Sequence, residues 1–173
     1  MKEYITYGFT IDDIRDIKTD LTNIGLNKPK KALWGSPTDA EFGWKDWCEV
    51  EEWWPSTKAE TFEDYISVGF TWTLEEGSKV YEIHTIDDLE KMDQEGFIKW
   101  DIWGTYSVIR RASIDFQKLK DAGYTAIELF DGYIGHMFVN ALEESMNSWD
   151  CESIVVLDPS KVVLTKKLKE VAA

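Results

Sequence analysis

At 173 residues the chain is long enough for one domain with a real core and too short for two ordinary ones. A formal net charge of −14, from 33 acidic against 19 basic residues, argues against passive electrostatic attachment to phosphate backbones or anionic lipid. Two cysteines without a CxxC pair and two scattered histidines indicate neither a disulfide framework nor a metal centre, and no stretch approaches the ~20 apolar residues of a membrane span.

In chain order, YITYGF (4 to 9) alternates like a short strand. Apolar residues at 11, 14, 17, 21 and 24 then predict a helix, with Thr10 and Asp13 at its cap and Gly25 at its end. NKPKK (27 to 31) reads as a polar loop and ALW (32 to 34) as a brief strand running into the turn GSP. Apolar positions 40, 44, 47 and 50 predict a second helix over about 38 to 54, which Pro55 ends. After a polar loop, ISVGFTWTL (66 to 74) and VYEIHT (80 to 85) read as two strands of a hairpin joined by EEGSK.

Residues 86 to 92 predict a short helix, and EGFIKWDIWGTYSVI is aromatic and β-rich. SIDFQKLKDA (113 to 122) has a helical pattern stopped by Gly123 and followed by the strand YTAIELF (124 to 130). A further helix is expected over about 136 to 146, then a last strand at 153 to 157 bounded by Asp158-Pro159-Ser160. With no repeat and no linker in view, the expectation is a single α+β domain over 1–173, soluble and cytoplasmic, the N-terminus lacking the apolar core of a signal peptide.

Nine tryptophans are the oddest feature of the composition, many of them between Trp34 and Trp103. Such rings supply apolar area to a core, and in clusters they also form the stacking wall of a ligand site.

TYGFT opens the chain, KKALWGSP follows a predicted helix, and LKDAGYTAIELFDG leads to DCESIVVLDPSKVVL. In this order the chain resembles, remotely, the ADP-ribosyltransferase superfamily. That family orders its motifs as a strand with His or Arg before Gly, a strand with an aromatic or Ser motif, and a strand headed by Glu. The resemblance implies a split, mainly antiparallel sheet flanked by helices, clamping NAD as substrate, and transfer of ADP-ribose to a protein or nucleic-acid acceptor or simple NAD hydrolysis. A phage or bacterial effector would suit such a domain. The chain departs from the pattern at Tyr7, where His or Arg is usual, and at Trp34, where many members carry Tyr.

Cleaving the nicotinamide bond builds positive charge at the ribose carbon, which a nearby carboxylate stabilises as it develops. On the resemblance, Glu152 at the head of the last strand is the catalytic candidate, with Tyr7, Gly8, Trp34 and Ser36 as NAD-binding candidates. Each has a plainer reading: a solvated strand-end Glu, a packed Tyr beside a bulge, a core Trp before a turn. Lys28, Lys30 and Lys31 form a basic knot that either meets a pyrophosphate or is a solvated loop. The charge keeps a second function class open, an acidic, non-enzymatic inhibitor that occupies a basic, nucleic-acid-binding surface of a partner, with Glu49, Glu51 and Glu52 on one face. The enzyme reading requires Tyr7, Trp34 and Glu152 to converge on one cleft.

Overall fold

Buried β-branched and aromatic residues recur along the chain in short runs, and they assemble into one seven-stranded sheet. The computed structural model describes residues 1–10, 18–24, 27–54, 59–103, 109–130 and 141–168. Its strands are β1 (Tyr4–Tyr7), β2 (Asp20–Asn23), β3 (Pro29–Lys31), β4 (Leu33–Pro37), β5 (Gly69–Leu74), β6 (Lys79–Ile83), β7 (Ile98–Trp103), β8 (Ile109–Ile114), β9 (Tyr124–Leu129), β10 (Ser153–Val156) and β11 (Val162–Lys167). The helices are α1 (Trp44–Val50), α2 (Phe62–Ser67), α3 (Ile86–Gln94), α4 (Phe116–Asp121) and α5 (Ala141–Ser145), with a 3-10 turn at Pro159–Lys161. The main sheet has the order β11-β5-β1-β4-β10-β9-β6, and β2-β3 and β7-β8 are separate two-stranded pairs. Every pairing is antiparallel except β6 with β9. The protein is thus an α+β domain with a mostly antiparallel sheet flanked by helices. The main sheet's strands are joined through β4, which pairs with β1 at Ser36 and Pro37 and with β10 at Leu33, Trp34 and Gly35.

The period of two along each strand sorts the core onto two faces. On β10, Ile154 and Val156 belong to one buried cluster and Val155 to the other, and Ala126 and Ile127 divide the same way on β9. The larger cluster takes Leu89 and Met92 from α3, Phe116 and Leu119 from α4, Leu142 and Met146 beside α5, and Ile98, Ala112 and Ile114 from the β7-β8 hairpin. Among the described residues the smaller one, around Tyr4, Phe70 and Trp72, draws on strands of the main sheet.

Several expectations are corrected by long-range pairing. The helix predicted through residue 24 gives way at 20–23 to β2, whose Leu21 is buried and whose register with β3 runs Asp20↔Lys31. Residues 11–17 of that expectation lie outside the described residues. Pro29–Lys31, read as loop, is β3, and β4 runs straight through Gly35-Ser36-Pro37, read as a turn. Helix α1 starts only at Trp44, and α2 occupies part of the segment expected to be a loop. The expected β5-β6 hairpin does not form. β1 and β11 hold the two edges of β5, while β6 pairs in parallel with β9 at the far end of the sheet. Ser113 and Ile114 complete β8, so α4 takes Asp115 as its cap, the carboxylate accepting from Lys118 N. Of the helix expected over 136 to 146, residues 141–145 are helical and 136–140 lie outside the described residues.

Candidate functional site

β1 and β4 run antiparallel with Ile5 opposite Ser36, and β10 follows β4 with Val155 opposite Trp34. Ile5, Tyr7, Trp34, Ser36 and Ser153 thereby line a cleft of about 270 Å³, which Lys28, Trp44, Tyr65 and residues 148–151 close from the sides. Strand pairing alone brings together three of the sequence candidates, Tyr7, Trp34 and Ser36. Its walls are largely aromatic, as ligand clefts commonly are.

Each wall has a local cause. Trp34 meets Trp149 edge to face, ring centroids 4.9 Å apart, and the buried Trp149 Nε1 donates to Asn27 O at 2.8 Å. Asn27 is itself buried in the left-handed region (φ 48°), a conformation Asn tolerates better than most residues. Its Oδ1 accepts from Ile114 N at 2.8 Å and from Asn23 Nδ2 at 2.9 Å, and its Nδ2 donates to Ser145 O at 2.7 Å. This bonded turn carries Lys28 to the cleft, its Nζ 5.8 Å from the centre of the Trp34 ring. Burial pulls the Lys28 pKa below the ordinary lysine value, against the opposing pull of Asp150 and Cys151. Among the described residues no carboxylate lies within ion-pair reach of its ammonium. Lys30 and Lys31 are exposed, and Lys30 pairs with Asp20 at 3.3 Å, so the basic knot divides and only Lys28 joins the site.

Gly8 does not line the cleft but shapes it. At φ 76° it turns the chain out of β1, its N–H donates to Val68 O at 2.9 Å, and the Tyr65 ring fills the space where a Cβ would stand. Tyr65 is buried, its hydroxyl accepts from Trp44 Nε1 at 2.8 Å, and burial pushes its pKa up to about 12. Burial, with a smaller contribution from Asp46, also raises the Tyr7 pKa, and the Tyr7 hydroxyl has no hydrogen-bond partner among the described residues. A neutral phenol is therefore free to bond a ligand. Ser36 is differently placed: its Oγ donates to Glu152 O at 2.7 Å and accepts from Trp44 N at 2.9 Å, so it ties β4 to α1 rather than facing a ligand unpartnered.

Glu152 does not line the cleft. Its Oε1 accepts from Glu41 N at 2.8 Å and Phe42 N at 3.1 Å, and its own N–H donates to Phe42 O. The carboxylate holds the loop that leads into α1, so the expected convergence of Tyr7, Trp34 and Glu152 is replaced by Tyr7, Trp34 and Lys28. The acidic residue in the cleft wall is Asp150, two positions earlier and half-buried. Neighbouring Cys151 is buried, and burial first, then Asp150, pushes its thiol up to about 12, which leaves it un-ionised and a poor nucleophile. Among the described residues no group of His, Cys, Asp and Glu is placed to hold a metal ion. No family model, curated protein or solved structure matches the chain.

Sequence reasoning missed Trp149, Asp150 and Tyr65 as cleft residues, and Trp44 entered it as an apolar position of the second predicted helix. The Trp-Asp-Cys-Glu run ahead of the buried strand holds both carboxylates, and the structure puts Asp150 in the cleft wall and Glu152 on the loop before α1.

Proposed function

We propose that the cleft binds the nicotinamide end of NAD and that the protein transfers ADP-ribose to a macromolecular acceptor, or to water, on an ADP-ribosyltransferase-like fold. One observation carries the reading: a half-buried ammonium, without a carboxylate partner among the described residues, stands over an indole inside a cleft lined by several aromatic rings. A planar ring stacks on the indole, and an attached phosphate or pyrophosphate pairs with Lys28. At about 270 Å³ the cleft falls just below the range of about 300–1,000 Å³ common for whole small-molecule ligands, which suits one end of a dinucleotide with the remainder over the mouth.

Tyr7 donates its hydroxyl to the ribose or carboxamide, in place of the histidine or arginine usual in that family. Asp150 takes the role first given to Glu152, stabilising the positive charge that develops at the ribose carbon as nicotinamide leaves. Glu152 keeps the loop before α1 in place. The protein would be expected to act where NAD is plentiful, as in a cytoplasm.

The test is nicotinamide release from NAD, with and without cell lysate, followed by chromatography. The expected result is release that Asp150→Asn lowers by about a hundred-fold or more while Glu152→Gln retains most of it. Lys28→Met should weaken NAD binding, read by tryptophan fluorescence, by about ten-fold. No quenching by NAD and no release under any condition would overturn the reading in favour of the non-enzymatic acidic inhibitor. Full activity in Asp150→Asn would remove the assigned role of that carboxylate.

A further inference from the structure

Helix α1 leaves the mouth of the cleft with an aromatic stack on its surface. Trp44, in the cleft wall, stacks on Trp47 with ring centroids 4.9 Å apart and planes at 15°. Trp53 then meets both rings edge-on, at 6.1 and 5.5 Å. The chain turns back to make this contact through Glu52, which takes a left-handed φ of 49°, where Gly or Asn is usual, while Trp53 N donates to Cys48 O at 3.1 Å. The result is not a buried core: Trp53 is 50% exposed and Val50 67%.

At the C-terminal end of α1 the charge among the described residues is acidic, the helix's one lysine, Lys45, lying in its first turn. Glu49, Glu51 and Glu52 are all exposed at the C-terminal end of α1, where the helix dipole is already negative, and the last turn holds no basic residue. Among the described residues none of the three has an ion-pair partner, and no lysine or arginine lies over Trp47 or Trp53. Exposed indoles beside carboxylates at a negative helix end are complementary to arginine or lysine, which pairs with the acids and stacks on the rings. They are hostile to nucleic acid, whose bases would stack only by bringing phosphates against the acids.

We infer that the Trp47–Trp53 platform at the end of α1 docks a basic, arginine-rich segment of a protein partner beside the mouth of the cleft. The partner being the acceptor of ADP-ribose rests on the proposed function; its docking does not, and is measured without NAD.

The probe is fluorescein-labelled nona-arginine, titrated with the protein and read by anisotropy. The expected result is saturable binding that falls steeply with salt and is weakened about five-fold by Trp53→Ala and by the double variant Glu51→Gln/Glu52→Gln. Glu76→Gln/Glu90→Gln, which removes equal charge from exposed positions elsewhere, should stay within about two-fold of the parent. Circular dichroism checks that each variant is folded, and the glutamine pair keeps the test usable if Trp53→Ala is not. Equal weakening by both glutamine pairs would reduce the effect to net charge and overturn the proposal. So would an absence of binding, tighter binding of a labelled oligonucleotide, or a concentration-dependent dimer in sedimentation that Trp53→Ala dissolves. Docking that succeeds while NAD is neither bound nor cleaved would retain the platform and refute only the enzymatic reading.

Discussion

Replacing Gly8 by Ala tests how the cleft wall is built. Gly8 has φ 76°, and a Cβ there would stand 2.8 Å from Tyr65 Cδ2 and overlap Cε2 outright. The left-handed backbone alone costs a non-glycine residue about 1–2 kcal/mol. Overpacking against a buried ring adds about 1–3 kcal/mol, because Tyr65 is buried and its hydroxyl is held by the bond from Trp44 Nε1. The sum is a destabilisation of about 2–5 kcal/mol. Gly77 supplies the internal control, with nearly the same φ of 81° and nothing within 4 Å of its would-be Cβ, so Gly77→Ala should cost only the backbone part. Urea unfolding followed by circular dichroism gives both values, and the tryptophan emission of native Gly8→Ala should shift as Tyr65 leaves Trp44. The double variant Gly8→Ala/Tyr65→Leu should recover at least about 1 kcal/mol relative to additivity. Equal costs at Gly8 and Gly77, with no coupling to Tyr65, would refute the account of the wall.

Two further outcomes concern carboxylates. Glu128 is buried, with Oε2 accepting from Tyr4 OH at 3.0 Å and Oε1 2.6 Å from Lys2 Nζ; burial raises its pKa above the ordinary value despite the lowering by Lys2 and Tyr4. A carboxyl raised in the folded state contributes stability that is fully present below its unfolded pKa and is lost as pH rises through the folded one. Lys2→Met should raise that pKa further, so parent and variant should nearly coincide below about pH 4 and diverge by about 1–2 kcal/mol by pH 7, measured by urea unfolding across pH. A constant difference at all pH values would contradict it. Glu152→Ala should cost about 1–2 kcal/mol and speed amide exchange at Glu41 and Phe42, whereas Glu152→Gln, which keeps an acceptor oxygen, should do little of either. Unchanged exchange at those amides would show that the carboxylate does not hold the loop.

Read alone, the sequence determined what depends on neighbours along the chain: the strands at β1, β5, β6, β9 and β10, the helix at α3, and the presence of aromatic residues suited to a ligand wall. Period-two patterns and β-branched runs encode these locally. The grouping of Tyr7, Trp34 and Ser36 came from the family resemblance, and it is the pairing of β1 with β4 that brings them to one cleft, with Ser36 in β4 and not in the turn expected there. What the sequence did not contain was partner choice. β2 looks helical until β3 pairs with it, β6 looks like the hairpin mate of β5 until β11 takes that edge, and Lys28 is one of three lysines until the buried Asn27 turn aims it at Trp34. The placement of the two carboxylates depends on the same kind of contact: two backbone amides over a hundred positions away bind Glu152, while Asp150 stands in the cleft wall. Such contacts form only when distant segments close on each other, and their energies come from burial and hydrogen bonds that no local window of sequence contains.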